Sequence, residues 1–520
     1  MRVVRANGRT WGFTVVAIVA LALSACAAPW SHSSTPAATA TTHTGAQALA
    51  WGTCPFALGG TFVAGKNVRC GSLSLPEDRS NPASGKIRLA VAIFKTPSAT
   101  AAPDPVIFLQ GGPGGRIIQD VAQAIVSGQM SLTSQFGNHD LILVDQRGTG
   151  YSTPSLQCPE VVQLQFQINV NLTPQQQIAA QNQALATCHS RLVSQGINLS
   201  AYTTYNDAND ISDLITALGY AQVDLYSVSY GTRLALEMMR SFPQHLRSVV
   251  LDSTVPPQIH LLANIPVATA RVFNTLFAGC AAEPTCAASY PDLQSVFYGL
   301  VPQLNTHPVT FQTTDATTDK GYTVVFHGDD LVNLLFSSFY VTQAIPLLPK
   351  LIYQVKAGNY QVAALLWGAL MFDDSVSYGD YYSVECAEDV NTETLAQVAT
   401  AGQSYPAAIR ADQVLNLQSE IPQCQNWHVA TAPASESAPV TSSIPTLVME
   451  SEYDPITPPA NGDLVAQGLS KSYKVLFPGV GHGAFIFNAC PDDVAISFWS
   501  VPTRQPDEAC VANMGEPQFS

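Results

Sequence analysis

Apolar residues along much of this chain fall in short unbroken runs rather than in strict alternation. Val106–Leu109, Leu141–Val144, Val223–Tyr226, Ser248–Asp252, Thr446–Met449 and Tyr473–Phe477 are such runs, closed by glycine, proline or polar residues. A run of this kind predicts a strand buried on both faces, as in a parallel sheet covered on both sides. Lys86–Lys95 follows a Pro/Asp/Asn/Gly-rich turn and also reads as a strand. Between the runs the period changes. Ile211, Leu214, Ile215 and Leu218 have helical spacing, and Gly219 closes that helix. Residues 230–242 continue as a helix that stops at Phe242-Pro243. Strand, helix, strand, helix and strand with short connections predict an α/β fold, mostly parallel, with helices on both faces.

The rhythm breaks after about Pro256 and resumes at Thr446. Leu331–Tyr340 and Val362–Phe372 within the break have helical patterns. The expected organisation is therefore a first sheet part over 49–255, an inserted, mainly helical cap domain over 256–440, and a final sheet part over 441–520. An insertion there would sit over the strand carboxyl ends, where ligands bind in open α/β sheets.

The candidate chemistry lies in the turns after the strands. Ser227-Val-Ser229-Tyr-Gly231 joins a strand to a helix. The pattern for a nucleophile held on such a corner is Gly-x-Ser-x-Gly, and here the first glycine is Ser227. Ser229 is the favoured nucleophile because Gly231 and the helix follow it directly; Ser227 is its rival. The strand Val106–Gln110 runs into Gly111-Gly-Pro-Gly-Gly115. Backbone N–H groups of Gly111 and Gly112, with that of Tyr230, suit an oxyanion hole. The phosphate-binding pattern Gly-x-x-x-x-Gly-Lys-Ser/Thr is absent from the sequence. Asp145 and Arg147 follow another strand, and the expectation is that they pair and pin a loop. Asp454 lies past a strand in a proline-rich turn, with Glu452 as competitor, and His482 stands between glycines after the last strand. The order Ser229, Asp454, His482 is that of the α/β-hydrolase triad.

Composition adds the compartment. The chain has 520 residues, 47% hydrophobic and 12% charged, with net charge −15. Arg2, Arg5 and Arg9 precede an apolar stretch, Trp11–Leu23, too short for a comfortable membrane span. Leu23-Ser-Ala-Cys26 resembles a bacterial lipobox, so residues 1–25 read as a lipoprotein signal peptide and Cys26 as the lipidated residue. No later stretch reads as a span. Residues 26–48, rich in Ala, Thr, Ser and Pro, read as a flexible tether. Loss of the three arginines leaves a charge of −18, which repels nucleic acid. The expected location is the bacterial cell envelope after export, lipid-anchored or released.

Ten cysteines remain beyond Cys26, an even number that suits disulfides in an exported protein. Pairing in sequence order closes short loops: Cys54–Cys70, Cys158–Cys188, Cys280–Cys286, Cys386–Cys424 and Cys490–Cys510. Other connectivities remain open. Cys-x-x-Cys spacing is absent from the sequence, so no metal is implied.

Leu109-Gln-Gly-Gly-Pro-Gly, Asp145-Gln-Arg-Gly-x-Gly-x-Ser, Ser-Tyr-Gly-Thr-Arg-Leu-Ala, Tyr-Asp-Pro-Ile-Thr-Pro and Gly-His-Gly together resemble the α/β-hydrolase peptidases of the prolyl and tripeptidyl aminopeptidase type. The similarity runs from about Trp51 to Cys510, including the cysteine-bearing C-terminal region of the tripeptidyl-aminopeptidase-like group. Ser227 departs from the family's glycine. The resemblance implies a Ser229–His482–Asp454 triad, an acyl-enzyme, peptide substrates and no cofactor. An aminopeptidase also needs a carboxylate for the substrate ammonium. Glu385 and Glu388 are the candidates, since similar proteins carry a Cys-x-acid segment that matches Cys386-Ala-Glu388. The alternative is a carboxylesterase with the same triad, acting on small or lipid-like esters.

Overall fold

The structure is a computed structural model that describes residues 49–485 and 488–519. The expected signal peptide, the tether and Cys26 lie outside the described residues. Eleven strands are present among these: β1 (Ala50–Gly52), β2 (Val68–Pro76), β3 (Lys86–Phe94), β4 (Val106–Leu109), β5 (Leu141–Asp145), β6 (Val223–Val228), β7 (Leu246–Asp252), β8 (Val309–Thr314), β9 (Gly321–Phe326), β10 (Thr446–Ser451) and β11 (Ser472–Phe477). Nine of them form one sheet in the order β1-β2-β3-β5-β4-β6-β7-β10-β11. From β5 to β11 neighbours run parallel, while β1, β2 and β3 add antiparallel pairings at one side.

Burial explains why the strands read as unbroken apolar runs. Every residue of β4, β5 and β10 is buried, because helices cover both faces. On one face Ile211 and Leu214 of helix Thr204–Leu218 pack with Leu234 and Met238 of helix Tyr230–Ser241. On the other, Ile118 and Val121 of helix Ile118–Val126 pack with Val494 and Phe498 of helix Ala489–Ser500. The edge strand β11 alternates instead, with Val475 and Phe477 inward and Lys474 and Leu476 exposed.

Between Asp252 and Thr446 the chain leaves the sheet and is mostly helical. The antiparallel hairpin β8–β9 interrupts it, an element that the helical reading of this segment did not include. Leu331, Leu334 and Leu335 of helix Gly328–Ser338 share a third core with Leu366 and Trp367 of helix Gln361–Leu370. Leu185, Cys188 and Leu192 of helix Pro174–Ser194 belong to that same core. The helix Leu262–Ala282 reaches a mean hydropathy of 1.2 and is long enough to cross a membrane, which the sequence reading had not expected of any later stretch. In the fold 61% of that window is buried, with Val272, Phe273 and Leu276 in the helical core.

Five disulfides join Cys54–Cys70, Cys158–Cys188, Cys280–Cys286, Cys386–Cys424 and Cys490–Cys510, the sequence-order pairing. Each constrains the unfolded chain by about 2–4 kcal/mol.

Candidate active site

The site forms where β4, β6, β7 and β10 end. Ser229 terminates β6 with φ 56° and ψ −130° and caps helix Tyr230–Ser241. A left-handed φ at a non-glycine residue is strained, and the strain presents the side chain at a sharp strand-to-helix corner. The corner is held by Ser229 N–H donating to Asp252 O at 3.0 Å and by Thr232, whose hydroxyl donates to Ser229 O at 2.6 Å. A Cβ at Gly231 would collide with Leu109 O, so the corner can lie tight against β4 only with glycine there. Ser227 is fully buried and donates its hydroxyl to Val250 O at 2.6 Å. Its small side chain serves as a strand contact, while Ser229 is partly open.

The glycine-rich loop lies against the same corner. A Cβ on Gly111 would stand 2.8 Å from Ser229 Cβ and 3.3 Å from its Oγ. Gly111 N–H donates to Gln110 Oε1 at 3.2 Å. Gly112 follows with φ 125°. Further along, Gly114 O accepts from Ser377 N–H at 2.9 Å, which ties this loop to the start of helix Tyr378–Glu388.

Asp454 and His482 meet directly, with Oδ2 and Nδ1 2.8 Å apart. Asp454 is fully buried and also accepts from Ile456 N–H at 2.9 Å, Thr457 N–H at 2.7 Å and the Thr457 hydroxyl at 2.7 Å. Burial alone would raise its pKa, but His482 and these donors outweigh that and hold the carboxyl below its ordinary range. Arg271 donates to Asp454 O and Glu452 O. Glu452, the competing acid, accepts from Gly479 N–H at 2.9 Å and so shapes the histidine loop instead.

The His482 loop is fixed from two sides. Below it, Gly483 N–H donates to Ser253 Oγ, and Ala484 and Phe485 N–H donate to the two Asp252 oxygens. Gly483 is thereby brought beside Val228, the residue before Ser229. Above it, His482 N–H donates to Phe339 O at 3.0 Å, Gly481 N–H to Thr342 Oγ1 at 3.1 Å, and the Tyr340 ring lies 4.7 Å from the imidazole. Tyr340 and Asp252 carry no signal in the sequence for a role at this site. Thr457 stands within the Tyr-Asp-Pro-Ile-Thr-Pro motif, which marked Asp454 but gave the threonine no role.

Two expectations change on contact with the structure. Asp145 and Arg147 do not pair. Asp145 accepts from Ile117, Ile118 and Tyr151 N–H, whereas Arg147 holds Asp210 with two bonds and donates to Glu77 O and Ala201 O. Each pins its own loop. Glu388 is engaged as well: it accepts from Thr204 N–H and hydroxyl at 2.6 and 2.7 Å and lies 3.3 Å from Arg233. Glu385 differs, because its Oε2 is buried without a partner. Burial first, then the Asp389 charge, push the Glu385 carboxyl well above its ordinary range, while Arg233 pulls the other way.

The comparisons with known proteins agree with this architecture. A model of the alpha/beta hydrolase fold matches residues 104–320, and a model described as TAP-like protein matches residues 412–510. Tripeptidyl aminopeptidase of Streptomyces coelicolor is 29% identical over 37% of this chain and 36% of its own length. Serine protease Hip1 of Mycobacterium tuberculosis is 23% identical over 85% of this chain and 86% of its own. Carboxylesterase B of Mycobacterium tuberculosis is 24% identical over the same shares. The parallel sheet, the strand-to-helix corner and the two matched family models lead to one conclusion: the chain has the α/β-hydrolase fold, carries a TAP-like C-terminal region, and is a serine hydrolase.

Proposed function

We propose that this serine hydrolase is an exported aminopeptidase that releases short peptides or residues from the free N-terminus of peptides. The observation that carries the serine-hydrolase chemistry is the Asp454–His482 bond of 2.8 Å, in a loop whose Gly483 lies against Val228, together with Ser229 held at φ 56° on the next residue. In this reading Ser229 Oγ attacks the substrate carbonyl carbon and His482 Nε2 takes its proton. Asp454 fixes the imidazole through Nδ1 and stabilises the imidazolium. N–H groups of Tyr230 and of the Gly111–Gly112 turn receive the oxyanion, each worth about 3–4 kcal/mol. At Gly111 the oxyanion displaces Gln110 Oε1. His482 then protonates the departing amine, an acyl-enzyme forms, and water completes the cycle. No step uses a metal or organic cofactor.

The residues over 256–440 act here as a cap above the strand ends. Of the two acids Glu385 is the freer candidate for the substrate ammonium, since its Oε2 has no partner and Glu388 is already bonded to Thr204 and Arg233. Export and an anchor at Cys26 fit a chain with five disulfides. A carboxylesterase remains the second reading, favoured by the long alignment with carboxylesterase B.

The test compares a free-amine peptide anilide, its N-acetylated twin and a short-chain aryl ester, with Ser229→Ala as control. Cleavage of the free-amine peptide alone supports the aminopeptidase. Ester cleavage without peptide cleavage makes it an esterase. Full activity in Ser229→Ala removes the assignment of the nucleophile.

A further inference from the structure

Tyr453, the residue before Asp454, is fully buried and makes three separate contacts. Its N–H donates to Val480 O at 2.8 Å, two residues before His482. Its ring stacks on Phe339 with centroids 6.3 Å apart, and Phe339 O is the acceptor of the His482 N–H. Its hydroxyl donates to Glu516 Oε2 at 2.5 Å. Burial first, then that bond, push the phenol well above its ordinary range, so it stays a donor. One residue therefore links the acid loop, the histidine loop and the segment over 514–519.

That segment lies across both loops. Gly479 has φ 70° and donates its N–H to Glu452 Oε2. A Cβ at Gly479 would collide with Gly515 O. The segment thus touches the chain one residue before Asp454 and three before His482. Its two ends are anchored in different cores. Met514 packs with the sheet core that contains Phe477 and Phe498, and Phe519 packs with the helical core that contains Phe273 and Leu276. Pro517 between them is buried. The disulfide Cys490–Cys510 roots the approach to the segment on helix Ala489–Ser500.

Helix Leu262–Ala282 closes the arrangement from the other side. Its Arg271 holds the carbonyls of Glu452 and Asp454. About two turns later its Gly279 lies against the tyrosine. A Cβ there would stand 2.5 Å from Tyr453 Oη and 3.1 Å from Glu516 Oε2, so a glycine leaves room for the bond between them.

We propose that Tyr453 and Glu516 are positioning residues for the Asp454–His482 pair, and that segment 514–519 is a strap that holds the acid and histidine loops together through the Tyr453–Glu516 bond. The proposal rests on the reading of Ser229, His482 and Asp454 as nucleophile, base and orienting acid. Loss of the bond keeps all three side chains but lets their loops drift, and a small misplacement of reacting groups slows the chemistry.

It is tested on the full chain with a serine-directed phosphonate, whose labelling rate reads the reactivity of Ser229 whatever the substrate, beside kcat and KM on any ester or peptide that is cleaved. Tyr453→Phe and Glu516→Ala should each slow labelling and lower kcat by at least about fivefold, with KM within about twofold of the parent. Glu516→Gln keeps an acceptor oxygen and should recover most of the rate. The double variant should be within about twofold of the slower single one, because both remove the same bond. Melting temperatures confirm that the variants fold; if Glu516→Ala does not, Tyr453→Phe alone decides. Parent rates in the single variants, an effect on KM alone, a Gln variant as slow as the Ala variant, or effects that multiply in the double variant overturn the strap while leaving the proposed function standing. A parent that does not label, or Ser229→Ala that labels like the parent, defeats both proposals.

Discussion

Thr457 donates its hydroxyl to Asp454 Oδ2 at 2.7 Å, and that hydroxyl oxygen, Thr457 Oγ1, lies 3.2 Å from His482 Nδ1. The threonine thus braces the acid–histidine pair from its third side, and its backbone N–H adds a second bond to Asp454. A hydrogen bond to a charged group contributes about 1.5–3 kcal/mol. Thr457→Val should therefore lower kcat by roughly tenfold to a hundredfold, with Thr457→Ser close to the parent. Asp454→Asn should cost about 10⁴ in kcat, because the amide favours the wrong imidazole tautomer. Steady-state kinetics on the best substrate check both, and equal kcat in Thr457→Val and the parent would remove the bracing role.

Ser227 and Ser229 are two residues apart yet predict opposite outcomes. Ser227 spends its hydroxyl on Val250 O inside the sheet, so Ser227→Ala should keep kcat within about threefold and lose about 1 kcal/mol of stability. Gly111→Ala is the complementary test. Its new Cβ would press on Ser229 Cβ at 2.8 Å, so activity should fall by at least about a hundredfold. Titration with a serine-directed phosphonate separates the two, since Ser227→Ala should still label stoichiometrically.

The sheet was legible because buried parallel strands have a simple signature. Leu141–Val144 and Thr446–Met449 are apolar on both faces, and the structure extends each by only a residue or two. Ser229, Asp454 and His482 were legible because each follows such a strand in a turn rich in small residues. The contacts of Tyr340 with His482 and of Asp252 with the Ala484 and Phe485 amides were not. They join residues more than a hundred positions apart, and nothing local marks a tyrosine that packs on an imidazole. The hairpin β8–β9 was missed for another reason. Its inward residues Phe311 and Thr313 alternate with exposed ones over a short stretch inside a long helical segment. Asp145 and Arg147, close in sequence, were expected to pair, but the turn directs each to different backbone partners.

Asp380 on helix Tyr378–Glu388 has both carboxyl oxygens buried without partners, as is Oδ2 of its neighbour Asp207. Burial, opposed by Arg147 and reinforced by Glu388, raises the Asp380 pKa from 3.8 to about 8. A carboxyl whose folded pKa lies above its unfolded value binds a proton more tightly when folded. The stability it contributes is full below about pH 4 and is lost as pH rises toward 8. The melting temperature should therefore decline between pH 5 and 8.5, and Asp380→Asn should flatten that decline. A scan of melting temperature against pH for the two proteins decides it, and parallel curves would show that Asp380 does not titrate in this window.

Arg233, one turn into the helix that begins after Ser229, is buried between Glu388 at 3.3 Å and Asp389 at 2.5 Å. It ties helix Tyr230–Ser241 to helix Tyr378–Glu388, which also contacts the glycine-rich loop through Ser377. Removing one partner of a buried ion pair strands the others, at a cost of about 3–5 kcal/mol. Arg233→Met should lose about that much at pH 8. Arg233 lowers the Glu388 pKa against the raising effect of burial, so its loss lets that pKa climb further. A higher folded pKa keeps the acid neutral at low pH and withdraws stability as pH rises. The variant should consequently be closer to the parent at pH 5 than at pH 8, as read by urea unfolding at both. Arg233→Lys should recover part of the loss, since it restores the charge without the paired geometry. A deficit of equal size at both pH values would mean that Arg233 acts through packing of its stem rather than through Glu388 and Asp389.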